Sequence, residues 1–168
     1  MSCLTQDTHL EKYTYHAKFI ELGLITEHNI NQIKLINQTI FPIKYGESFY
    51  KKCTISSDLC KCAFYKGLIV GNVCCKIISV GGISCLYIMT LGCLPSYRCV
   101  GIGSKMLEYV HQLAKDKNIR LIQLHVHTVN NDAVQFYKKR NYTISATVEN
   151  YYCLLEPKSA FILEKMLD

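Results

Sequence analysis

The chain contains 168 residues, of which 49% are hydrophobic and 19% are charged. This length and this balance favour one folded domain with a substantial apolar core. The net charge of +6 suits an anionic ligand. The sequence has no basic stripe with interleaved aromatic residues and no apolar run of about 18 residues, so we expect neither sequence-specific nucleic-acid binding nor a membrane partner.

Residues 1–18 are polar and show no apolar periodicity, which predicts a flexible N-terminal extension before a domain spanning residues 19–168. The run 19–22 predicts a first strand. Thr26 is the predicted N-cap of a helix that ends at Phe41-Pro42, because the residue before a proline is disfavoured in the α region. Four isoleucines form the apolar face of this helix: Ile30, Ile33, Ile36 and Ile40.

The middle of the chain predicts three strands joined by glycine-containing turns. Residues 62–65 and 68–78 flank Lys66-Gly67, and residues 83–94 follow Gly81-Gly82. The remaining pattern predicts a helix, a strand, a helix and two strands, in that order, over residues 102–117, 119–127, 130–142, 142–149 and 161–167. The chain as a whole therefore indicates one mixed α/β domain.

The turn before the long central helix has the sequence Arg98-Cys99-Val100-Gly101-Ile102-Gly103. An Arg-x-x-Gly-x-Gly turn between a strand and a helix presents backbone N–H groups at a helix N-terminus, where the unpaired donors and the helix dipole favour an anion. The glycines let a pyrophosphate approach these amides closely. Alone, the pattern is also compatible with an ordinary helix start.

The ten cysteines raise the question of a disulfide framework or a zinc site. Their spacing favours neither, because there is no Cys-x-x-Cys and the close pairs are Cys60/Cys62 and the adjacent Cys74-Cys75. The chain also shows no basic start followed by an apolar secretory segment. We therefore expect buried thiols, no metal and a cytoplasmic location, with the nucleus open as a second one.

The surroundings of the glycine turn resemble those in the GNAT superfamily of acetyltransferases, on the segment 86–91 before the turn and the helix 130–142 with its Phe136-Tyr137 pair. Three more specific blocks resemble the NatE-type protein N-terminal acetyltransferases of that superfamily: residues 41–45, 86–95 and 150–152. The resemblance covers residues 19–158. It implies a GNAT fold, a single domain with a mixed, centrally splayed seven-stranded sheet and about four helices.

Two positions depart from the pattern of the superfamily. Cys99 stands where a second arginine is common, which removes only electrostatic reinforcement of the glycine turn. Asn141 stands where a glycine usually ends the Phe-Tyr helix, and asparagine tolerates the left-handed conformation that such a helix end requires.

The resemblance implies acetyl-CoA as the cosubstrate and no metal. The pyrophosphate is expected on the amides of the glycine turn, with Arg98 and the Ser104 hydroxyl as further donors, and the pantetheine arm along the strand that ends near Leu91 and Cys93. The implied cofactor-binding residues are Leu91, Cys93, Arg98, Cys99, Val100, Gly101, Ile102, Gly103, Ser104, Asn130 and Tyr137.

The implied catalytic residues are Tyr87, His125, Leu91 and Tyr137. By resemblance, Tyr87 and His125 face each other from neighbouring strands and hold a water that collects the proton of an attacking α-amine. The Leu91 N–H is the expected oxyanion donor, and Tyr137 the expected proton donor to the departing thiolate. Attack is expected to be direct, with both substrates bound and no cysteine acting as nucleophile.

The implied substrate is a protein N-terminus, with methionine first and a hydrophobic or other residue second. The implied substrate-binding residues are Phe41, Pro42, Ile43, Tyr45, Tyr87, Met89, His125, Tyr151 and Tyr152. Two alternatives remain open: acetylation of lysine ε-amines, and a noncatalytic subunit that docks on a larger N-terminal acetyltransferase complex near the ribosome. The expected partners are accordingly the peptide substrate, such a complex and the ribosome.

Overall fold

A computed structural model of the protein describes residues 16–56 and 58–168, so most of the predicted extension 1–18 lies outside the described residues. The described chain contains seven strands, four α-helices and one short 3-10 helix. In chain order these are β1 (Ile20–Leu24), α1 (Ile30–Ile40), α2 (Glu47–Ile55), β2 (Cys60–Tyr65), β3 (Leu68–Val80), β4 (Ile83–Cys93), the 3-10 helix (Pro95–Tyr97), α3 (Ile102–Asp116), β5 (Leu121–His127), α4 (Asn131–Lys138), β6 (Thr143–Val148) and β7 (Ala160–Met166).

The strands form one seven-stranded sheet in the order β1-β2-β3-β4-β5-β7-β6. Strands β4 and β5 pair in parallel, whereas β1–β2, β2–β3, β5–β7 and β6–β7 pair antiparallel. The β4–β5 register runs from Cys85↔Leu121 to Tyr87↔Gln123, although β4 continues to Cys93 and β5 to His127. The predicted architecture, a mixed seven-stranded sheet with four α-helices among the described residues, is thus confirmed.

The chain forms two compact units, between which β3 and β4 are divided. The first contains the chain up to Cys74 together with Thr90–Val110, and the second contains Cys75–Met89 and His111–Asp168. The fully buried side chains of the first unit include Ile33, Val73 and Met106, and those of the second include Leu86, Ile122 and Leu163. No helix of the described residues is both long and apolar enough to cross a bilayer.

Helix α1 begins later than its sequence predicts. The prediction of Thr26 as the N-cap is wrong, because the helix starts at Ile30 and Asn29 occupies the cap position. Asn29 closes the preceding turn by accepting from the Thr26 N–H at 2.8 Å and donating to the Leu24 carbonyl at 2.9 Å. The predicted end is confirmed, since Phe41 is extended at φ −110° and ψ 137° directly before Pro42.

The predicted turns agree with the structure. Lys66 and Gly67 have φ angles of 50° and 79°, as a two-residue hairpin turn requires, and Gly81 and Gly82 have φ angles of 57° and 84°. Asn141 is left-handed at φ 64°, so it replaces a glycine without losing the turn. Helix α2, in contrast, is not singled out by the sequence, because it buries only Tyr50 and Cys53 and has no clear apolar stripe.

Candidate active site

A tyrosine and a histidine lie together where the β4–β5 pairing ends. Tyr87 is in the last paired position of β4, and His125 follows two residues after its partner Gln123 on β5. The Tyr87 hydroxyl is 3.0 Å from His125 Nδ1, so it donates to that nitrogen when Nδ1 is unprotonated. The expectation that these two side chains face each other from neighbouring strands is therefore confirmed.

Tyr151 extends this pair toward solvent. Its hydroxyl is 3.1 Å from the Tyr87 hydroxyl, and its ring stacks on the His125 imidazole with 4.2 Å between centroids and 9° between planes. Tyr152 points elsewhere, since its ring meets the His127 ring edge-on with 5.2 Å between centroids. Burial raises the pKa of Tyr152 to about 12. Both tyrosines stay predicted substrate contacts, but only Tyr151 touches the tyrosine–histidine pair.

The surroundings of His125 favour its neutral form. Burial, with a smaller contribution from the Lys76 ammonium, lowers the pKa of His125 below its ordinary value of 6.5. Lys76, on β3, also lies over the Tyr87 ring with its nitrogen 5.0 Å from the centroid. The lowered pKa favours the uncharged imidazole, which is the form that can accept a proton. The sequence analysis missed Lys76, although the predicted two-residue turn at Gly81-Gly82 places Lys76 opposite Tyr87 on the neighbouring strand.

The glycine turn has the backbone of an anion site. Gly101 has φ 102°, a left-handed conformation that favours glycine, and Cys99 is also left-handed at φ 61°. Helix α3 starts directly afterward at Ile102 and has no acidic residue in its first turn. The N-terminus of this 15-residue helix therefore presents the positive end of the helix dipole without an acidic side chain in its first turn.

Aromatic side chains gather after α1. The Phe41 ring meets Tyr45 edge-on at 5.9 Å, and Tyr45 stacks on Phe49 at 4.5 Å. Phe41 also lies against β4, because a Cβ built on Gly92 would be 3.1 Å from Phe41 Cζ. Phe41 and Tyr45 were predicted from the sequence, whereas Phe49 was missed together with helix α2. The half-buried cluster supplies an apolar surface beside the strand that carries Leu91.

The remaining predicted residues take less direct positions. Tyr87, Met89 and Leu91 are half-buried and alternate with buried residues, which places them on one face of β4. The Asn130 side chain caps α4 by accepting from the Ala133 N–H at 3.1 Å. Tyr137 is buried, and this burial raises its pKa above the ordinary value of 10, so it remains protonated. These assignments to cofactor, acid and substrate roles stay predictions.

Three thiols meet in the core of the first unit, which their spacing in the sequence does not predict. The sulfur atoms of Cys53, Cys60 and Cys74 all lie within 4.8 Å of one another, and all three residues are buried. Hydrogen bonding to Cys60, together with burial, raises the pKa of Cys53 to about 12, and contacts with Cys53 and Cys60 together with burial raise that of Cys74. These causes favour the protonated form of the thiols.

The comparisons with known proteins agree with this geometry. The sequence model of the Acetyltransferase (GNAT) family matches residues 28–142. The chain is 46% identical to the Probable N-acetyltransferase san of Drosophila melanogaster, over 88% of this chain and 81% of that protein. It is 45% identical to the N-alpha-acetyltransferase 50 of Danio rerio, over 88% of this chain and 89% of that protein.

A solved structure of Arabidopsis thaliana Naa50 in complex with the bisubstrate analogue CoA-Ac-MVNAL superposes with a TM-score of 0.82. The two sequences are 35% identical, and the match covers 89% of this chain and 99% of the Arabidopsis chain. The similarity therefore extends over nearly all of the fold that carries the candidate site.

Proposed function

Because this chain belongs to the GNAT acetyltransferase family, we propose that it transfers the acetyl group of acetyl-CoA to the α-amine of protein N-termini that begin with methionine. The observation that carries the proposal is the 3.0 Å contact between the Tyr87 hydroxyl and Nδ1 of His125, whose pKa burial lowers. Its relatives support the choice of substrate, since one is named an N-alpha-acetyltransferase and another binds an analogue built on the peptide MVNAL.

The base suits an α-amine. An α-amine has an ordinary pKa of about 8, so a substantial fraction is neutral at pH 7 and only modest help is needed to remove its proton. As the amine nitrogen bonds to the acetyl carbon, the carbon–sulfur bond of the thioester breaks and the nitrogen loses a proton. We assign that proton, through water, to the Tyr87 hydroxyl, whose own proton passes to His125 Nδ1.

The residues of the glycine turn fit the diphosphate of acetyl-CoA. Gly101 adopts a left-handed conformation and has no side chain to hold an anion away from the turn. The first turn of α3 contains no acidic side chain that would repel an anion. The proposal assigns the pyrophosphate to the amides from Val100 to Ser104, with Arg98 as an additional donor. It assigns the developing oxyanion to the Leu91 N–H and the proton for the departing thiolate to Tyr137, which burial keeps protonated.

The aromatic cluster after α1 suits the first side chain of the peptide. Phe41 and Tyr45 present apolar ring surface, and methionine is a flexible apolar side chain that adapts to such a surface. Tyr151, stacked on His125, is assigned to the peptide backbone. Assembly with a larger acetyltransferase complex and the ribosome, and a cytoplasmic location, remain proposals that the resemblance alone supports.

A matched pair of peptides tests the proposed function. Both contain one internal lysine and begin with methionine, but one has a free α-amine and the other an acetylated one. Mass spectrometry should find transfer only to the free α-amine. Equal labelling of the lysine in the blocked peptide would assign the protein to lysine acetylation, and no transfer to either peptide would leave the noncatalytic docking role.

A pair of histidine variants completes this experiment. His125→Ala removes the proposed base, whereas His127→Ala removes a histidine on the same strand whose Nε2 hydrogen-bonds to the Pro157 carbonyl. Transfer to the free α-amine should be lost in the first variant and retained in the second. Equal activity in both would contradict the assignment of the base.

A further inference from the structure

Three polar side chains that the proposed function leaves unassigned form a bridge inside the first unit. Asn72, on β3, donates from Nδ2 to Asn37 Oδ1 on α1 at 2.6 Å. Thr90, on β4, donates its hydroxyl to Asn72 Oδ1 at 3.0 Å. All three residues are at most 2% exposed. The bridge therefore ties one helix and two strands together through Asn72.

Burying these polar groups in the core has a free-energy cost that apolar side chains would not have. A buried amide or hydroxyl that loses its partner destabilises a protein, whereas replacing both partners with apolar residues of similar shape can leave it equally stable or better. Among the described residues, Asn37 Nδ2 makes no well-aligned hydrogen bond, and its nearest interaction is with the Tyr50 hydroxyl, whose pKa Asn37 lowers against the larger raising effect of burial. Such a network rigidifies and specifies one packing of α1 on β3 and β4 more than it adds stability.

The packing that the bridge specifies contains Phe41 and Leu91. The Phe41 N–H donates to the Asn37 carbonyl at 2.9 Å, so Phe41 is attached to the helical turn that the bridge holds. On β4, Leu91 follows Thr90 directly, and Gly92 lies against Ile40 and Phe41. The bridge thus acts on both elements whose separation determines the distance between the Phe41 ring and the backbone at Leu91.

We propose that Asn72 is a positioning residue, which holds Phe41 at a fixed distance from Leu91 and thereby sets which first side chain of the acceptor peptide fits. This inference rests on the proposed function, since it assigns the Phe41 wall to that side chain. Loosening the bridge lets the wall move, and smaller first residues then compete better with methionine. The reacting groups and the glycine turn are not part of the bridge.

The test uses Thr90→Val, which keeps the shape of threonine but removes the donor, and Thr90→Ser, which keeps the donor. The control is Ile33→Val, a buried apolar truncation on the same helix that leaves the bridge intact. The readout is the ratio of kcat/KM for a methionine-starting peptide to that for the matching alanine-starting peptide. Thr90→Val should lower this ratio about three- to tenfold, which corresponds to the loss of one hydrogen bond.

Thr90→Ser and Ile33→Val should leave the ratio within about twofold of wild type, and the KM for acetyl-CoA should stay within about twofold in all three variants. A triple variant, Asn37→Leu/Asn72→Leu/Thr90→Val, replaces the whole bridge with apolar residues. It should retain thermal stability and lose selectivity. A fall in kcat/KM by the same factor for both peptides would overturn the proposal and reduce the bridge to structural packing.

Hydrogen exchange keeps this test independent of catalysis. Thr90→Val should speed amide exchange in residues 36–45 more than Ile33→Val does, because the helical turn that carries Phe41 is then held less firmly on β3 and β4 through Asn72. Equal exchange in the two variants would refute the positioning role even if the wild-type protein were inactive. Inactivity of the wild-type protein on both peptides would refute the proposed function. Faster exchange in Thr90→Val would still support the inference that the bridge holds Phe41 in place.

Discussion

Gly92 allows the end of α1 to pack on β4, and adding one methyl group there should shift the Phe41 wall. In Gly92→Ala, the new Cβ would lie 2.9 Å from Ile40 Cδ1 and 3.1 Å from Phe41 Cζ. Both atoms are ends of side chains, so a displacement of a few tenths of an ångström relieves the contact. We expect the free energy of unfolding to fall by about 1 kcal/mol, which is the low end of the range for overpacking, and Tm to fall by about 2–4 °C.

Two further variants make this estimate specific. Gly71→Ala should cost about 3 kcal/mol or more, because its Cβ would lie 2.4 Å from the Gly92 carbonyl oxygen, which is backbone and cannot turn away. Ile40→Val removes the methyl group that Gly92→Ala meets. The double variant Gly92→Ala/Ile40→Val should therefore be more stable than the sum of its single effects by about 0.5 kcal/mol or more.

The assays are thermal or urea unfolding and steady-state kinetics. Gly92→Ala should raise the KM for the peptide more than the KM for acetyl-CoA, since the displaced ring belongs to the proposed peptide pocket. Strict additivity in the double variant, or equal destabilisation by Gly92→Ala and Gly71→Ala, would refute the packing of α1 on β4 described here.

Three other predictions concern the chemistry of the site. Tyr87→Phe should lower kcat by about 100-fold while preserving acetyl-CoA affinity by calorimetry, and an unchanged kcat would remove Tyr87 from the proton path. His125 must be neutral to accept a proton and its pKa lies below 6.5, so kcat/KM should fall as the pH decreases through that pKa. Lys76→Met removes a charge that lowers this pKa, so the fall should begin at a higher pH, and an unchanged pH profile would contradict the influence of Lys76. Gly101→Val should weaken acetyl-CoA binding strongly, because a β-branched residue is strained at φ 102° and its side chain obstructs the amides; wild-type affinity would exclude the turn as the diphosphate site.

The sequence, the family resemblance and the structure each give different information about the pairing of Tyr87 with His125. The sequence places Tyr87 and His125 on strands, but the expectation that they meet came from resemblance to a family. Local pattern contains no information on contacts between residues 38 positions apart, because such contacts depend on which strands pair and in which register. The parallel register of Tyr87 with Gln123 decides that His125, two residues further along, reaches the tyrosine hydroxyl.

The side-chain directions of adjacent residues in a loop also depend on the tertiary structure. Tyr151 and Tyr152 are equivalent in the sequence, yet one stacks on His125 and the other packs against His127. The same holds for Cys53, Cys60 and Cys74, whose spacing predicts no cluster but whose sulfur atoms come within 4.8 Å. In each case the side-chain direction follows from long-range packing rather than from the identity of the neighbours.

Several features of this protein were determined by its sequence alone. Lys66-Gly67 requires positive φ angles, Phe41-Pro42 ends a helix by steric exclusion, and Arg98–Gly103 starts one with glycines that free its amides. These are short-range effects, confined to the backbone of a few consecutive residues. The tertiary structure alone decided the existence of α2, the meeting of Tyr87 with His125 and the bridge through Asn72, because each depends on a partner distant in the chain.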